Sequence, residues 1–261
     1  MGDVAAATET AKVSAVLATR GLDKSFGSLV VAKGIEIELP RGVRYALIGP
    51  NGAGKTTLIN LMTGMLRPDG GQILLGGENI TALGPEERVR CGLVRTFQIN
   101  SLFPHLTPLE AVTLTICERE RLARVWWRPT SDYRAAVDEA YSVLEQLMLG
   151  PVCTRETREL AYGQQRLLEI ALALATRPKV LLLDEPAAGV PRDESAELFT
   201  AINSLSQDIT VLFIEHDMEL VFRLASRIIV MVSGGILLEG TPAEISADPR
   251  VREVYLGGAH G

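Results

Sequence analysis

An α/β domain, with a mainly parallel sheet, a small antiparallel sheet beside it and an inserted helical lobe, is predicted by three features of this sequence. The first is an apolar, β-prone run over residues 43–48, followed by a glycine-rich turn and a helix-opening run over residues 57–62. The second is a pair of short aliphatic runs, residues 180–183 and 209–214, each ending in carboxylates. Strands buried on both faces of a parallel sheet have this composition. The third is a change of character from about residue 98 to 166, where helical segments take over.

The glycine-rich turn is Gly49-Pro50-Asn51-Gly52-Ala53-Gly54-Lys55-Thr56. It fits the phosphate-loop pattern G-x-x-x-x-G-K-[ST] at every fixed position. Chance alone gives the bare pattern roughly once in a hundred chains of this length, with Gly near 7% of residues. Strand, turn and helix come in the order that phosphate binding requires. Glycines let successive backbone N–H groups converge on an anion with no Cβ in the way. The positive end of the helix dipole points at the same place. Lys55 can then bridge β- and γ-phosphates, and the Thr56 hydroxyl can bind Mg²⁺.

Size and composition narrow the field. At 261 residues the chain suits one large α/β domain with a lobe inserted. Hydrophobic residues make up 47% and charged residues 22%, an ordinary globular balance. The net charge of −6 argues against a general nucleic-acid binder. Cys91, Cys117 and Cys153 are scattered, odd in number and not in metal-ligand spacing, which reads as reduced cytosolic thiols. No run approaches the ~18 apolar residues of a membrane span. Residues 1–13 lack an apolar signal core and read as a flexible polar tail. The expectation is a cytoplasmic protein that meets any membrane from outside.

In chain order, residues 17–26 and 30–39 alternate as antiparallel strands. Phe26, in a Lys-Ser-Phe-Gly turn, fits either core packing or stacking on an adenine ring. Glycine pairs at 70–71 and 76–77 bracket a short strand, a hairpin signal. Pro85 starts a polar helix over residues 86–90, and a strand over 93–97 follows. Gln98, a polar residue after an apolar strand, can add an oxygen ligand to Mg²⁺ or orient water. Residues 109–120 and 133–149 read as helices. In the second, Val137, Ala140, Tyr141, Leu144, Leu147 and Met148 fall on one face. Trp126-Trp127 beside arginines fits either packing under the lobe or docking to a membrane protein or lipid headgroups.

Ala161, Tyr162, Gly163 and Gln164 then open an apolar helix. A Gly and an amide at a helix start make a second anion-binding N-terminus. One ATP is not easily gripped by two such ends of one chain, so a partner's ATP is its natural target; standing alone, the stretch reads first as an ordinary capped helix. Asp184 and Glu185 end a strand at the sheet edge where open α/β folds bind ligands. Asp184 is placed to hold Mg²⁺ through water, and Glu185 to take a proton from attacking water. A His after a core strand is, alone, more often structural. At this same edge His216 reads as a γ-phosphate contact. Residues 228–232 and 236–238 close the chain as a hairpin.

Phosphate loop, Gln98, the Leu-Ala-Tyr-Gly-Gln-Gln-Arg signature at 160–166, Asp184-Glu185 and His216 together resemble the successive motifs of ABC transporter ATPase subunits, over nearly the whole chain. The resemblance implies a phosphate-loop NTPase cassette over residues 14–257. Its RecA-like core would carry an antiparallel β subdomain and a helical subdomain at about 98–166. It also implies that Phe26, the phosphate loop and Thr57 hold ATP, that Thr56, Gln98 and Asp184 hold Mg²⁺, and that Glu185, His216 and Gln98 serve catalysis. Two ATPs would be sandwiched in a head-to-tail dimer between phosphate loop and partner signature. Hydrolysis would reopen it, and the helical lobe would pass the motion to two membrane permeases.

Finer features are similar to importers of branched-chain, hydrophobic amino acids: Leu-Ala-Tyr-Gly, Asp-Glu-Pro-Ala-Ala-Gly, Ile-Glu-His-Asp-Met and the tail from Glu239 through Gly257. That branch implies a second ATPase, copy or paralogue, and an external solute-binding protein, with the cassette peripheral on the inner face of the plasma membrane. Its relatives also carry urea, amides or aromatic acids. Ala161 departs from the wider family's Ser, losing a hydroxyl donor to the partner's γ-phosphate. Pro191 stands where Asn or Asp is usual, which bears on communication across the dimer. Two alternatives share the chemistry: an exporter or lipid-linked transporter subunit, and a soluble non-transport ABC ATPase. The latter commonly carries two cassettes or long coiled coils, and this chain has neither.

Overall fold

The computed structural model describes residues 15–96, 102–122 and 130–256. The expected tail at 1–13, Gln98 and the Trp126-Trp127 pair lie outside the described residues. A four-stranded antiparallel sheet is formed by β1 (Ala15–Phe26), β2 (Leu29–Pro40), β4 (Gly70–Leu75) and β5 (Glu78–Asn79), in the order β2-β1-β4-β5. The second sheet has six strands: β3 (Arg44–Ile48), β6 (Leu93–Arg95), β7 (Val180–Asp184), β8 (Thr210–Ile214), β9 (Arg227–Val232) and β10 (Gly235–Gly240). Their order is β10-β9-β3-β8-β7-β6, parallel except for the β9–β10 hairpin.

Period-two alternation divides the interior in two. Tyr45, Leu47, Leu182, Leu212 and Ile214 face a core shared with Leu17, Ile35, Ile37 and Leu39 of the antiparallel sheet. Their neighbours Ala46, Ile48, Leu181, Leu183, Val211 and Phe213 face the other core, under the helices. A strand apolar at every position is what a sheet covered on both faces requires.

The neighbours β6 and β7 are joined through three helices, α3 (Pro108–Arg119), α4 (Thr130–Gln146) and α5 (Tyr162–Ala175). Thr107 and Glu110 form a reciprocal cap at the start of α3, with Pro108 at the first helical position. On α4 the buried stripe is Ala136, Ala140 and Leu144, continued by Leu147. This corrects the broader face drawn from spacing: Val137, Tyr141 and Met148 are 38%, 47% and 49% exposed. Each follows a buried residue or flanks the stripe, so the ~100° step of a helix carries it to the rim of the contact. Cys91, Cys117 and Cys153 are free thiols, the last two buried. Among the described residues, no helix is long and apolar enough to cross a membrane.

The helix after the phosphate loop, α1 (Lys55–Thr63), is anchored at its far end by a buried cation. Arg88, on α2 (Pro85–Cys91), is 1% exposed. Its Nη1 donates to the carbonyls of Leu61 and Met62, both at 2.6 Å, its Nη2 to Thr81 O and its Nε to Leu83 O. The last carbonyls of a helix have no partner within it, and a cation there also meets the negative end of the dipole. Burial pushes the Arg88 pKa down, and the four carbonyls satisfy the buried guanidinium with hydrogen bonds. Arg88→Met keeps the bulk and strands those carbonyls. The expected loss is about 3 kcal/mol of unfolding free energy, seen as a lowered urea midpoint at unchanged slope. A midpoint like wild type would show that water serves those carbonyls equally well.

Candidate functional site

The phosphate loop leaves the C-terminal end of β3 at the centre of the parallel sheet and enters α1. Two of its glycines are imposed by close approach. A Cβ on Gly49 would stand 2.1 Å from Met231 O, and one on Gly54 2.5 Å from Val31 O. Gly54, the N-cap of α1, has φ 101° and offers no side-chain cap, and no acidic residue lies in the first turn. The first N–H groups of a helix have no acceptor of their own, so this end is a cradle for an anion. Gly52, with φ 79°, turns the loop, and Ala53 N–H closes it on Pro50 O at 3.1 Å. Ala53 O accepts from Gly234 N–H of the β9–β10 turn, which braces the loop from outside.

Lys55 is buried, and its Nζ donates to the carbonyls of Gly49 at 2.7 Å and Pro50 at 3.1 Å. Burial lowers its pKa, while the nearby charges of Glu185 and Asp184 oppose that shift. The amino group is thus held within the loop and within the field of both carboxylates. Thr56 is exposed and Thr57 half-buried on the first turn of α1, and Asn51 is exposed in the loop.

The carboxylates arrive from the neighbouring strands. Asp184 ends β7 and pairs in register with Ile214, the last residue of β8. Arg95, on β6, reaches across and donates from Nη2 to Asp184 Oδ2 at 2.5 Å and from Nη1 to Asn60 Oδ1 of α1 at 2.6 Å. Glu185 follows in a left-handed conformation, φ 49°, costly for a residue with a Cβ and common at functional sites. Its Oε1 lies 2.7 Å from His216 Nε2, with both side chains nearly half exposed. Glu215, between β8 and His216, is buried, and its carboxylate accepts from Ala187 and His216 N–H groups.

The signature residues start α5 on the other side of this loop. Ala161 is the N-cap, and its N–H donates to Gln164 Oε1 at 3.1 Å. Gly163 N–H donates to Glu194 Oε2 at 2.8 Å, so a carboxylate of the same chain already sits on the predicted anion site. Tyr162 Oη and Arg166 Nη2 both donate to Ala188 O, tying α5 to the segment after Glu185.

The structure therefore brings Lys55, Asp184, Glu185 and His216 to one sheet edge and places Ala161, Tyr162, Gly163 and Gln164 beyond it. Phe26 is 50% exposed, with Lys24 Nζ 5.6 Å from the ring centroid, so the core-packing alternative does not hold. Sequence reasoning missed Arg95, Glu215 and Glu194 as members of the site. Arg95 carried one usable signal, a charge at the end of a strand that neighbours β7. Among the described residues no group of three or more His, Cys, Asp or Glu side chains can hold a metal. The donor set here, one carboxylate and a hydroxyl beside a phosphate cradle, suits a hard cation that takes its remaining oxygens from nucleotide and water.

Comparison with known proteins shows the family and the fold. The family described as ABC transporter matches residues 32–188. A second description, branched-chain amino acid ATP-binding cassette transporter, matches residues 236–261. The chain is 40% identical to the high-affinity branched-chain amino acid transport ATP-binding protein BraF of Pseudomonas aeruginosa, covering 94% of this chain and 98% of that protein. The identity and coverage are the same for LivG of Escherichia coli K12, described in the same words. A crystal structure of the ADP conformation of an ATP-binding cassette from an ABC transporter superposes with a TM-score of 0.80 at 35% identity. It covers 93% of this chain and 98% of that one.

The Arg95–Asp184 pair is mostly buried, so removing the cation leaves a carboxylate with little water around it. Arg95→Met is expected to cost about 2 kcal/mol of stability without nucleotide. The additional change Asp184→Asn should recover part of that loss. Chemical denaturation of both single variants and the double checks this, and strictly additive losses would mean that the pair is not coupled.

Proposed function

Because this chain belongs to the ABC transporter family as an ATP-binding cassette, we propose that it powers import of branched-chain amino acids or a related small solute. Members of the family hydrolyse ATP, and the observation that carries the reading is the convergence of Lys55, Asp184, Glu185 and His216 at the edge of β3, β7 and β8. The importer branch is supported by the relatives' described role and by the separate match over residues 236–261.

The chain's own residues account for the chemistry. Lys55 exchanges the carbonyls of Gly49 and Pro50 for β- and γ-phosphate oxygens, while residues 49–57 wrap the phosphates and Phe26 stacks on adenine. Thr56, Asp184 and Gln98 would hold Mg²⁺, which supplies charge that offsets the phosphate oxygens. Glu185 accepts the proton of the attacking water, and His216 steadies the γ-phosphate. In a head-to-tail dimer, copy or paralogue, Ala161, Tyr162, Gly163 and Gln164 address the partner's nucleotide. Gly163 N–H is then released from Glu194. The helical lobe engages two permeases at the inner face of the plasma membrane, and an external binding protein delivers the solute.

Glu185→Gln keeps the shape and removes the base. Hydrolysis should fall by about a hundredfold or more, with ATP still bound and an ATP-dependent dimer accumulating on a sizing column. Hydrolysis at the wild-type rate would remove Glu185 from its role. For the assembly, tagged protein drawn from its native membranes in mild detergent should bring two multispanning proteins and a second ATPase. Recovery of ribosomes or DNA-bound proteins alone would overturn the transport reading.

A further inference from the structure

Glu215 is the one strongly buried carboxylate among the described residues at this edge that the proposed chemistry leaves without a task. Its two oxygens are divided between two loops. Oε1 accepts from Ala187 N–H at 2.9 Å, two residues past Glu185. Oε2 accepts from its own neighbour, His216 N–H, at 3.2 Å. The same two loops carry Glu185 and His216, whose side chains meet at 2.7 Å.

We propose that Glu215 is a positioning residue, a side-chain clamp that sets the spacing of Glu185 and His216 by holding their two loops together. The inference rests on the catalytic reading of that pair. Three observations support it. The Glu185 and His216 side chains are each nearly half exposed, so packing does not fix them. Glu185 is held in a left-handed turn whose other ties are backbone bonds, Glu185 N–H to Ile214 O and Ala188 N–H to Glu185 O, both at 3.0 Å. A strained turn of that kind persists only where its surroundings over-determine it. Finally, the clamp continues into the signature helix, because Ala188 O accepts from Tyr162 Oη at 3.2 Å. His216, Glu215, Ala187, Ala188 and Tyr162 thus form one connected line across the cassette.

A buried carboxylate is an expensive way to end a strand. Burial pushes the Glu215 pKa up, as does the charge of Glu185, while the two N–H donors pull it back. An apolar side chain at this position would avoid the desolvation but leave Ala187 N–H without its acceptor. The two-oxygen geometry also distinguishes Glu from Gln. An amide can accept from Ala187 with its oxygen, but then presents an N–H donor to His216 N–H.

The test compares full-length wild type, Glu215→Gln and Glu215→Ala for steady-state ATP hydrolysis, KM for ATP and thermal midpoint, with Glu185→Gln beside them. The expected order of kcat is wild type, Gln, Ala, with the Ala variant down between about tenfold and a hundredfold and KM within about threefold. Partial rescue by Gln at an unchanged KM is the mark of positioning. The proposal is overturned if both variants keep kcat within twofold while Glu185→Gln is inactive. It is also overturned if kcat falls only together with a raised KM and a lost thermal midpoint, the pattern of a merely structural residue. Should the Ala variant not fold, the isosteric Gln variant alone decides by the same criteria. An active Glu185→Gln would instead refute the catalytic reading on which the clamp depends.

Discussion

The parallel register of β3, β8 and β7 is the constraint from which the site follows. Asp184 stands opposite Ile214, and Leu47 opposite the same Ile214, so the three strands stop together. Whatever follows each strand is therefore delivered to a common edge: the phosphate loop after β3, Glu185 after β7, and Glu215 with His216 after β8. The register is itself set by alternation. A slip of one residue would move Leu182 and Leu212 from one core to the other and bring Leu181, Leu183, Val211 and Phe213 into their place. Both cores are closely filled with side chains of different shapes, so such a slip is costly.

That logic separates what the sequence made legible from what it did not. The phosphate loop was readable because its demands are local. Its glycines, Lys55 and Thr56 fall within eight consecutive residues, and Lys55 bonds carbonyls of that same loop, although the backbone that forbids a Cβ at Gly49 and Gly54 belongs to distant Met231 and Val31. The strand ending at Asp184 was readable because a short aliphatic run closed by carboxylates marks a buried strand and its edge. The signature at 160–166 was readable as a helix start, and the helix begins at Tyr162.

The contacts that escaped are those between residues far apart in the chain. Arg95 and Asp184 are separated by 89 positions, Ala187 and Glu215 by 28, and Gly163 and Glu194 by 31. Nothing in residues 92–98 says that β6 will lie beside β7, because the partner strand arrives only after the helical insertion. The misjudged face of α4 has the same origin. Periodicity shows that a helix is amphipathic, but the width of the buried stripe depends on how closely α3 and α5 approach it. Val137 and Tyr141 satisfy the pattern and still reach solvent.

One feature recurs at three of the groups to which the proposed function gives a ligand. Lys55 rests on the carbonyls of Gly49 and Pro50, Asp184 on Arg95, and the Gly163 N–H on Glu194. Each is a hydrogen bond to a partner carried by the same chain, and each partner resembles a piece of what would replace it. Under the proposed function, the carbonyl oxygens stand in for phosphate oxygens, the guanidinium for a metal charge, and the carboxylate for a second molecule's phosphate. Buried or half-buried charges left bare would cost several kcal/mol apiece, so these internal partners let the cassette fold without a ligand. Under the proposed function they make nucleotide binding an exchange of one set of polar contacts for another. Glu215 stands apart in this scheme, because its partners are backbone groups of the loops themselves. The exchange can therefore proceed around it while the spacing of Glu185 and His216 stays fixed.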